Sequence, residues 1–175
     1  MPKSAHIEGG DVIVTEDHVF IGYYNKNDYK NQITARTNKK AIKILKELVK
    51  NKEVFPIELI KSSIKPSENA LHLDCCFQPV SKNKAVICRE AFANKIEVNF
   101  LISYYGQENI FEVTQDEMSK LYCNFLSISE NTVITDIRFK RLINWFDEIG
   151  LNVEKLDFSE ISKLGGLFRC CTLPL

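Results

Sequence analysis

The sequence predicts an α/β protein built of about three ββαβ units that form part of an α/β propeller. Three observations carry this. A strand, strand, helix, strand order of apolar patterns returns three times, roughly every 50 to 60 residues, which marks a repeat architecture. Each unit opens on two short apolar runs, rich in β-branched and aromatic residues, that flank a polar or acidic turn. The chain has 175 residues, 45% hydrophobic and 26% charged, enough for one folded domain and unlike collagenous, disordered or disulfide-knotted chains.

In the first unit, Val12-Ile13-Val14 and residues 19–24 flank Glu16-Asp17 and read as a hairpin. Ala41, Ile44, Leu45 and Leu48 recur at helical spacing across residues 38–50, and residues 54–60 read as a strand. The second unit has a strand over 71–80, a polar turn at Ser81-Lys82-Asn83-Lys84, a strand over 85–88, a helix ending at Tyr105 and a strand over 110–113. In the third, strands over 124–128 and 132–135 flank Ser129-Glu130-Asn131. Asp136 is placed to cap a helix with Phe139, Leu142, Ile143 and Phe146 on its apolar face, and Gly150 to stop it. Thr114 and Glu117 form a capping box, and a helical turn over 159–163 precedes a last strand predicted over 167–173. Three such units do not close a ring by themselves. Residues 1–175 are therefore expected to be a single domain that lacks an upstream piece, pairs with another copy, or stays an open layered sheet.

Composition narrows the function. There are 23 Lys+Arg against 23 Asp+Glu and no dense basic block, so neither nucleic acid nor an anionic membrane is an expected partner. No apolar run has the length of a bilayer span or a signal peptide, and a cytoplasmic protein is expected. Six cysteines, two pairs of them adjacent at Cys75-Cys76 and Cys170-Cys171, do not resemble a secreted disulfide framework. Most read as reduced core thiols. His6 and His18 read as surface residues. A small, individually recognised ligand is the partner this pattern favours.

Three segments carry chemistry. In Leu71-His72-Leu73-Asp74, strand alternation would put His72 and Asp74 on one face, where a cationic ligand would satisfy the carboxylate; a core His-Asp pair that fixes strand register is the alternative. Glu8-Gly9-Gly10-Asp11 opens the first hairpin with two glycines, as a close approach to substrate or as a plain acidic turn, and its carboxylates would repel phosphate. Gly165-Gly166 leads into Cys170-Cys171; on a strand these face apart, so one thiol would reach the cavity and the other the apolar layer. Metal binding by His72 with these cysteines is disfavoured for the same reason, and no metal is assigned.

Taken in order, E-G-G-D, H-L-D-x-x-F and G-G-x-x-R-C-x-T-x-P-L resemble the guanidine-modifying superfamily: arginine deiminase, dimethylarginine dimethylaminohydrolase and the amidinotransferases. The resemblance runs from about Ile7 to Leu175 and includes Ala35-Arg36-Thr37-Asn38 and Asn124-Phe125-Leu126-Ser127-Ile128. It implies a five-module, pentein-type α/β propeller of which this chain is the C-terminal part. It makes Cys170 the nucleophile, His72 the general acid/base, Glu8 the carboxylate beside the histidine, Asp74 the grip on the guanidinium and Arg36 the holder of a substrate carboxylate. Around Arg36 the spacing departs from the family, with residues 25–33 looking like an insertion. Asp11 reads as a structural turn acceptor.

What the resemblance implies is a cofactor-free, cysteine-dependent hydrolase of arginine-like guanidines such as arginine or methylated arginine, giving a ureido product such as citrulline. An amidinotransferase, or a silent chain that binds only a ligand or a partner, is the alternative. The ending looks closer to the hydrolase branch. Family members usually have an upstream module whose aspartate completes the guanidinium clamp, so a homo-oligomer or a separate N-terminal half is an expected partner. In the free protein Asp74 and Glu8 are expected to oppose thiolate formation at Cys170.

Overall fold

The computed structural model describes residues 2–28 and 37–172, and within them the three repeats are present. Unit one consists of β1 (Val12–Val14), β2 (His18–Tyr23), α1 (Lys39–Leu48) and β3 (Glu53–Glu58). Unit two consists of β4 (Phe77–Val80), β5 (Lys84–Ile87), α2 (Lys95–Tyr105) and β6 (Ile110–Glu112). A short helix, α3 (Gln115–Ser119), leads to unit three: β7 (Leu126–Ser129), β8 (Thr132–Asp136), α4 (Lys140–Glu148) and β9 (Asn152–Leu156). Helix α5 (Ser159–Ser162) follows.

Each unit forms its own three-stranded sheet, with the second strand in the centre. The first strand is antiparallel to it, as a hairpin requires, and the third is parallel, as a helical crossover requires. Among the described residues no sheet closes into a barrel.

Strand β2 is buried at every position because both its faces are covered. Val19, Ile21 and Tyr23 pack with Ile42 of α1 and Val54. Phe20 points the other way, into the main core, edge-on to Phe77 with ring centroids 5.6 Å apart. That core runs through units two and three to Phe125, Leu142, Phe146 and Leu167.

Several expectations need correction. His18 is buried, stacked on Phe20 at 5.3 Å and set edge-on to Tyr104 at 4.9 Å, because β2 points it into the core. Strand β9 follows Gly150, whose φ of 79° ends α4, and completes the third repeat, although only Val153 of its Asn152-Val153-Glu154-Lys155 is apolar and partly buried. Asp136 does not cap α4. Its buried carboxylate accepts from Arg138 Nε at 2.7 Å and Phe158 N at 3.2 Å, tying β8 to the segment before α5. The predicted last strand is a succession of turns over 168–171 as far as the described residues reach. Leu167 and Phe168 are held by burial, with Phe168 stacked on Phe158 at 4.2 Å, rather than by a ladder.

Candidate active site

The segment before β1 folds back over unit two. Glu8 precedes a 3-10 turn, Gly9–Asp11, and its backbone N–H donates to Thr37 Oγ1 at 3.0 Å. Asp11 is 1% exposed, and its Oδ1 accepts the backbone N–H of Leu73 at 3.0 Å. This bond docks the Glu8 turn onto the His72 segment. Burial pushes the Asp11 carboxyl above its usual range, against the pull of Lys61 and Thr37. Gly22 in β2 makes room, since a Cβ there would lie 2.7 Å from Asp11 Oδ1.

His72 is not on a strand. It is the N-cap of a 3-10 turn, Leu73–Cys75, and β4 begins only at Phe77. The turn's own bonds, Cys75 N to His72 O and Cys76 N to Leu73 O, together with the Asp11 acceptor, take the backbone groups a ladder would have used. Lys61 Nζ braces the approach by donating to Ala70 O at 2.6 Å. His72 and Asp74 still reach one cavity, but through turn geometry rather than alternation. His72 Nε2 lies 2.6 Å from Glu8 Oε2. Gly10 permits this close stacking: a Cβ there would sit 2.8 Å from His72 Nδ1.

Cys170 lies in the turn after Leu167, exposed towards the same cavity, and Cys171 is exposed as well rather than packed in the apolar layer. A helical-type bond, Cys171 N to Leu167 O, sets the orientation that alternation cannot. The fully buried Asn124 fixes the turn: its Oδ1 accepts from Arg169 N at 3.1 Å and Cys170 N at 3.4 Å, and its Nδ2 donates to Cys170 Sγ at 3.3 Å. In the sequence Asn124 opens the strand predicted over 124–128 and belongs to a stretch that resembles the family, with no role of its own. A polar amide opening an otherwise apolar run, Asn124-Phe125-Leu126, was the available signal.

The thiol is pulled down to about 5, first by a hydrogen bond from Cys75 and then by the Leu167 backbone, Asn124 and the His72 charge, with partial burial opposing. Asp74, 2% exposed, is pushed up to about 7 by burial and then by the negative sulfur of Cys170. The expectation that carboxylates would hold the thiol protonated in the free protein is thereby corrected. Donors around the sulfur win, and the buried carboxyl holds the proton instead.

The cavity has a volume of about 290 Å³ and lies between Gly9-Gly10, His72, Asp74, Arg169 and Cys170. Arg169 Nε is buried there without a hydrogen-bond partner. Asp74, Cys75 and Cys170 each bring one potential metal ligand to within 4.8 Å of the others. Two of the three favour their protonated forms, since burial and the Cys170 sulfur hold Asp74 and Cys75 up, so the set suits a metal ion poorly. Of the residues singled out from sequence, Glu8, His72, Asp74 and Cys170 come together. Arg36 lies outside the described residues.

The chain is similar to known proteins in sequence and in fold. Residues 2–175 match the family described as N,N dimethylarginine dimethylhydrolase, eukaryotic. The chain is 34% identical to the protein YkgA of Bacillus subtilis over 169 residues, covering 97% of this chain and 52% of YkgA. It is similar in structure to the N-terminal domain of ArgZ, an arginine dihydrolase of the ornithine-ammonia cycle in cyanobacteria, with a TM-score of 0.80 and 21% identity over 99% of this chain and 57% of that one. SxtG, an amidinotransferase from Microseira wollei in the saxitoxin pathway, has a TM-score of 0.71 and 19% identity, covering 97% and 47%. The chain thus spans about half the length of YkgA, of the ArgZ N-terminal domain and of SxtG.

Proposed function

The chain belongs to the N,N-dimethylarginine dimethylhydrolase family of guanidine-modifying penteins, and from that premise we propose that it hydrolyses an arginine-like guanidine at Cys170. The observation that carries this reading is the convergence of a depressed thiol, an imidazole bonded to a carboxylate and a buried acid on one small cavity.

A guanidinium is planar and permanently charged, and Asp74 offers it an in-plane carboxylate in a buried setting. The arriving cation drives the proton off Asp74 and neutralises the charge formed there. The Cys170 thiolate adds to the central guanidine carbon, forming an S–C bond and a tetrahedral adduct. His72, protonated and held by Glu8, donates its proton to the departing nitrogen as the C–N bond breaks, leaving a thiouronium on Cys170. Water then gives a proton to His72 and attacks the same carbon. Cys170 leaves as thiolate, and the product carries a ureido group. In the proposed assignment Glu8 fixes the His72 ring through their 2.6 Å bond, and Arg36 and Arg169 are cations available to a substrate carboxylate.

The reading extends to partners and location. We assign this chain the role of one part of a larger propeller. Strands β1, β4 and β7 are each at the edge of their sheet, and they surround a cavity of about 530 Å³ that adjoins Gly9 and Arg169. The exposed Val14 and Ile128 lie on β1 and β7. A second copy or a separately encoded half packed there would cover them and close the substrate cavity. Among the described residues no helix is long and apolar enough to cross a membrane, and the free thiols suit the reducing cytoplasm proposed for the protein.

The test is ureido-product formation by the purified chain from arginine, dimethylarginine and agmatine, with oligomeric state measured in the same sample. Turnover of any one supports the reading. Folded protein that turns over none, alone or with a companion half, rejects it.

A further inference from the structure

We infer that Cys75 is the resolving partner of Cys170, so that a peroxide converts the site into a Cys75–Cys170 disulfide and switches it off reversibly. The inference rests on the assignment of Cys170 as the reactive thiol and adds a second reaction of that sulfur.

The geometry is specific to this pair. The sulfurs of Cys75 and Cys170 lie within 4.8 Å of one another, with an Asp74 oxygen inside the same limit. Cys75 is buried, on the turn that carries Asp74, and its Sγ lies 3.5 Å from Asp74 Oδ1. Cys170 is exposed, on a turn that belongs to no helix or strand. One sulfur meets solvent and the other waits behind it, the arrangement of a reactive and a resolving thiol. Closing to a bond of about 2 Å is within reach of side-chain rotation and a small movement of the Cys170 turn.

The chemistry balances. The Cys170 thiolate attacks one peroxide oxygen, an S–O bond forms, the O–O bond breaks and the other oxygen leaves as hydroxide, which takes up a proton from solvent. The sulfur is then a sulfenic acid. Cys75 attacks the Cys170 sulfur, forming the S–S bond, as its proton passes to Asp74 and the proton Asp74 already held passes to the departing oxygen. The S–O bond breaks, and the departing hydroxide leaves as water with the Asp74 proton. Two thiols lose two electrons in total and one peroxide gains them.

Order is built into the pair. While Cys170 is a thiolate, Cys75 donates to it, and that bond is the first cause holding the Cys75 thiol well above its ordinary value. Once Cys170 is a neutral sulfenic acid, that restraint is gone and Cys75 becomes the nucleophile. Asp74, still held up by burial, relays the proton between Cys75 and the departing oxygen.

The test uses the full chain, reduced and then freed of reductant, exposed to an equivalent of hydrogen peroxide, alkylated under denaturing conditions and mapped by mass spectrometry. The expected result is a Cys75–Cys170 cross-linked peptide, loss of two alkylatable thiols and full recovery with dithiothreitol. In Cys75→Ser or Cys75→Ala the expected product is sulfinic or sulfonic acid at Cys170 that dithiothreitol does not reverse. Over-oxidised Cys170 in the unsubstituted chain with Cys75 still alkylated, or a cross-link confined to Cys76–Cys88 or Cys170–Cys171, would overturn the inference. Mapping the unsubstituted chain does not depend on how the variants fold. Turnover of the reduced protein is read separately, so a cross-link without turnover would reject the catalytic reading alone.

Discussion

Asn124 donates from Nδ2 to the Cys170 sulfur at 3.3 Å while its Oδ1 accepts from the Cys170 backbone N–H at 3.4 Å. One buried amide thus both orients the Cys170 sulfur and stabilises its negative charge. A hydrogen bond to a charged group contributes about 1.5–3 kcal/mol, and about 1.4 kcal/mol is one pKa unit. Asn124→Ala should therefore raise the Cys170 thiol by about one to two units, read from the pH dependence of its alkylation by iodoacetamide. An unchanged midpoint would deny Asn124 that role.

In the unsubstituted chain, the alkylation profile should place the Cys170 midpoint near 5, well below an ordinary thiol. The hydrogen bonds around the sulfur cause this, so the low midpoint should appear without substrate. A midpoint near 9 in the free protein would mean that these donors do not hold the thiolate.

Burial, and then the negative Cys170 sulfur, push the Asp74 carboxyl up to about 7 in the free protein. A bound guanidinium favours the carboxylate and lowers that value. Between roughly pH 5 and 7, then, binding releases a proton, and affinity rises with pH until Asp74 is already ionised. Calorimetry of a guanidinium ligand in buffers of different ionisation enthalpy should detect that proton with Cys170 kept reduced. Asp74→Asn should abolish the release and weaken binding by at least tenfold.

Gly10 leaves no room for a side chain beside His72. Gly10→Ala should push the imidazole off Glu8 and cost about 100-fold in kcat, the order expected when a catalytic group is displaced by about 1 Å. Stability should fall as well, because the new Cβ would also lie 2.9 Å from His72 Cβ and Cγ, which rotation of the ring does not clear. Normal turnover of the surviving protein would contradict this account of the glycine.

Asp11 joins the two turns that carry Glu8 and His72. Asp11→Ala strands the buried Leu73 N–H and should destabilise the fold by about 1–3 kcal/mol, the cost of one unsatisfied buried group. Asp11→Asn keeps an acceptor and should lose less. Urea denaturation of the two variants measures the difference.

The repeat was legible because each unit contains a hairpin turn with apolar flanks and a helix with a regular apolar face, both of them local patterns. Glu8, His72, Asp74 and Cys170 were legible as residue types in an ordered set of motifs. The backbone that presents them was not. His72-Leu73-Asp74 alternates like a strand, but Asp11, 62 residues away from Leu73, takes the N–H that a strand would pair. Leu167 to Thr172 reads as a strand too, yet Asn124 and the burial of Leu167 and Phe168 bend it into turns. Both failures have one cause: a buried polar side chain distant in sequence supplies the backbone's hydrogen bonds, and no local pattern records it.

The central claim is that Cys170 forms a bond to the carbon of a guanidine. Acid quenching of the purified chain during incubation with arginine, dimethylarginine and agmatine, followed by mass spectrometry, tests it most directly. The account predicts that the Cys170 peptide gains the mass of the substrate less its departing ammonia or amine, and that Cys170→Ala shows no such gain. A ureido product formed without that adduct and undiminished in Cys170→Ala would contradict it.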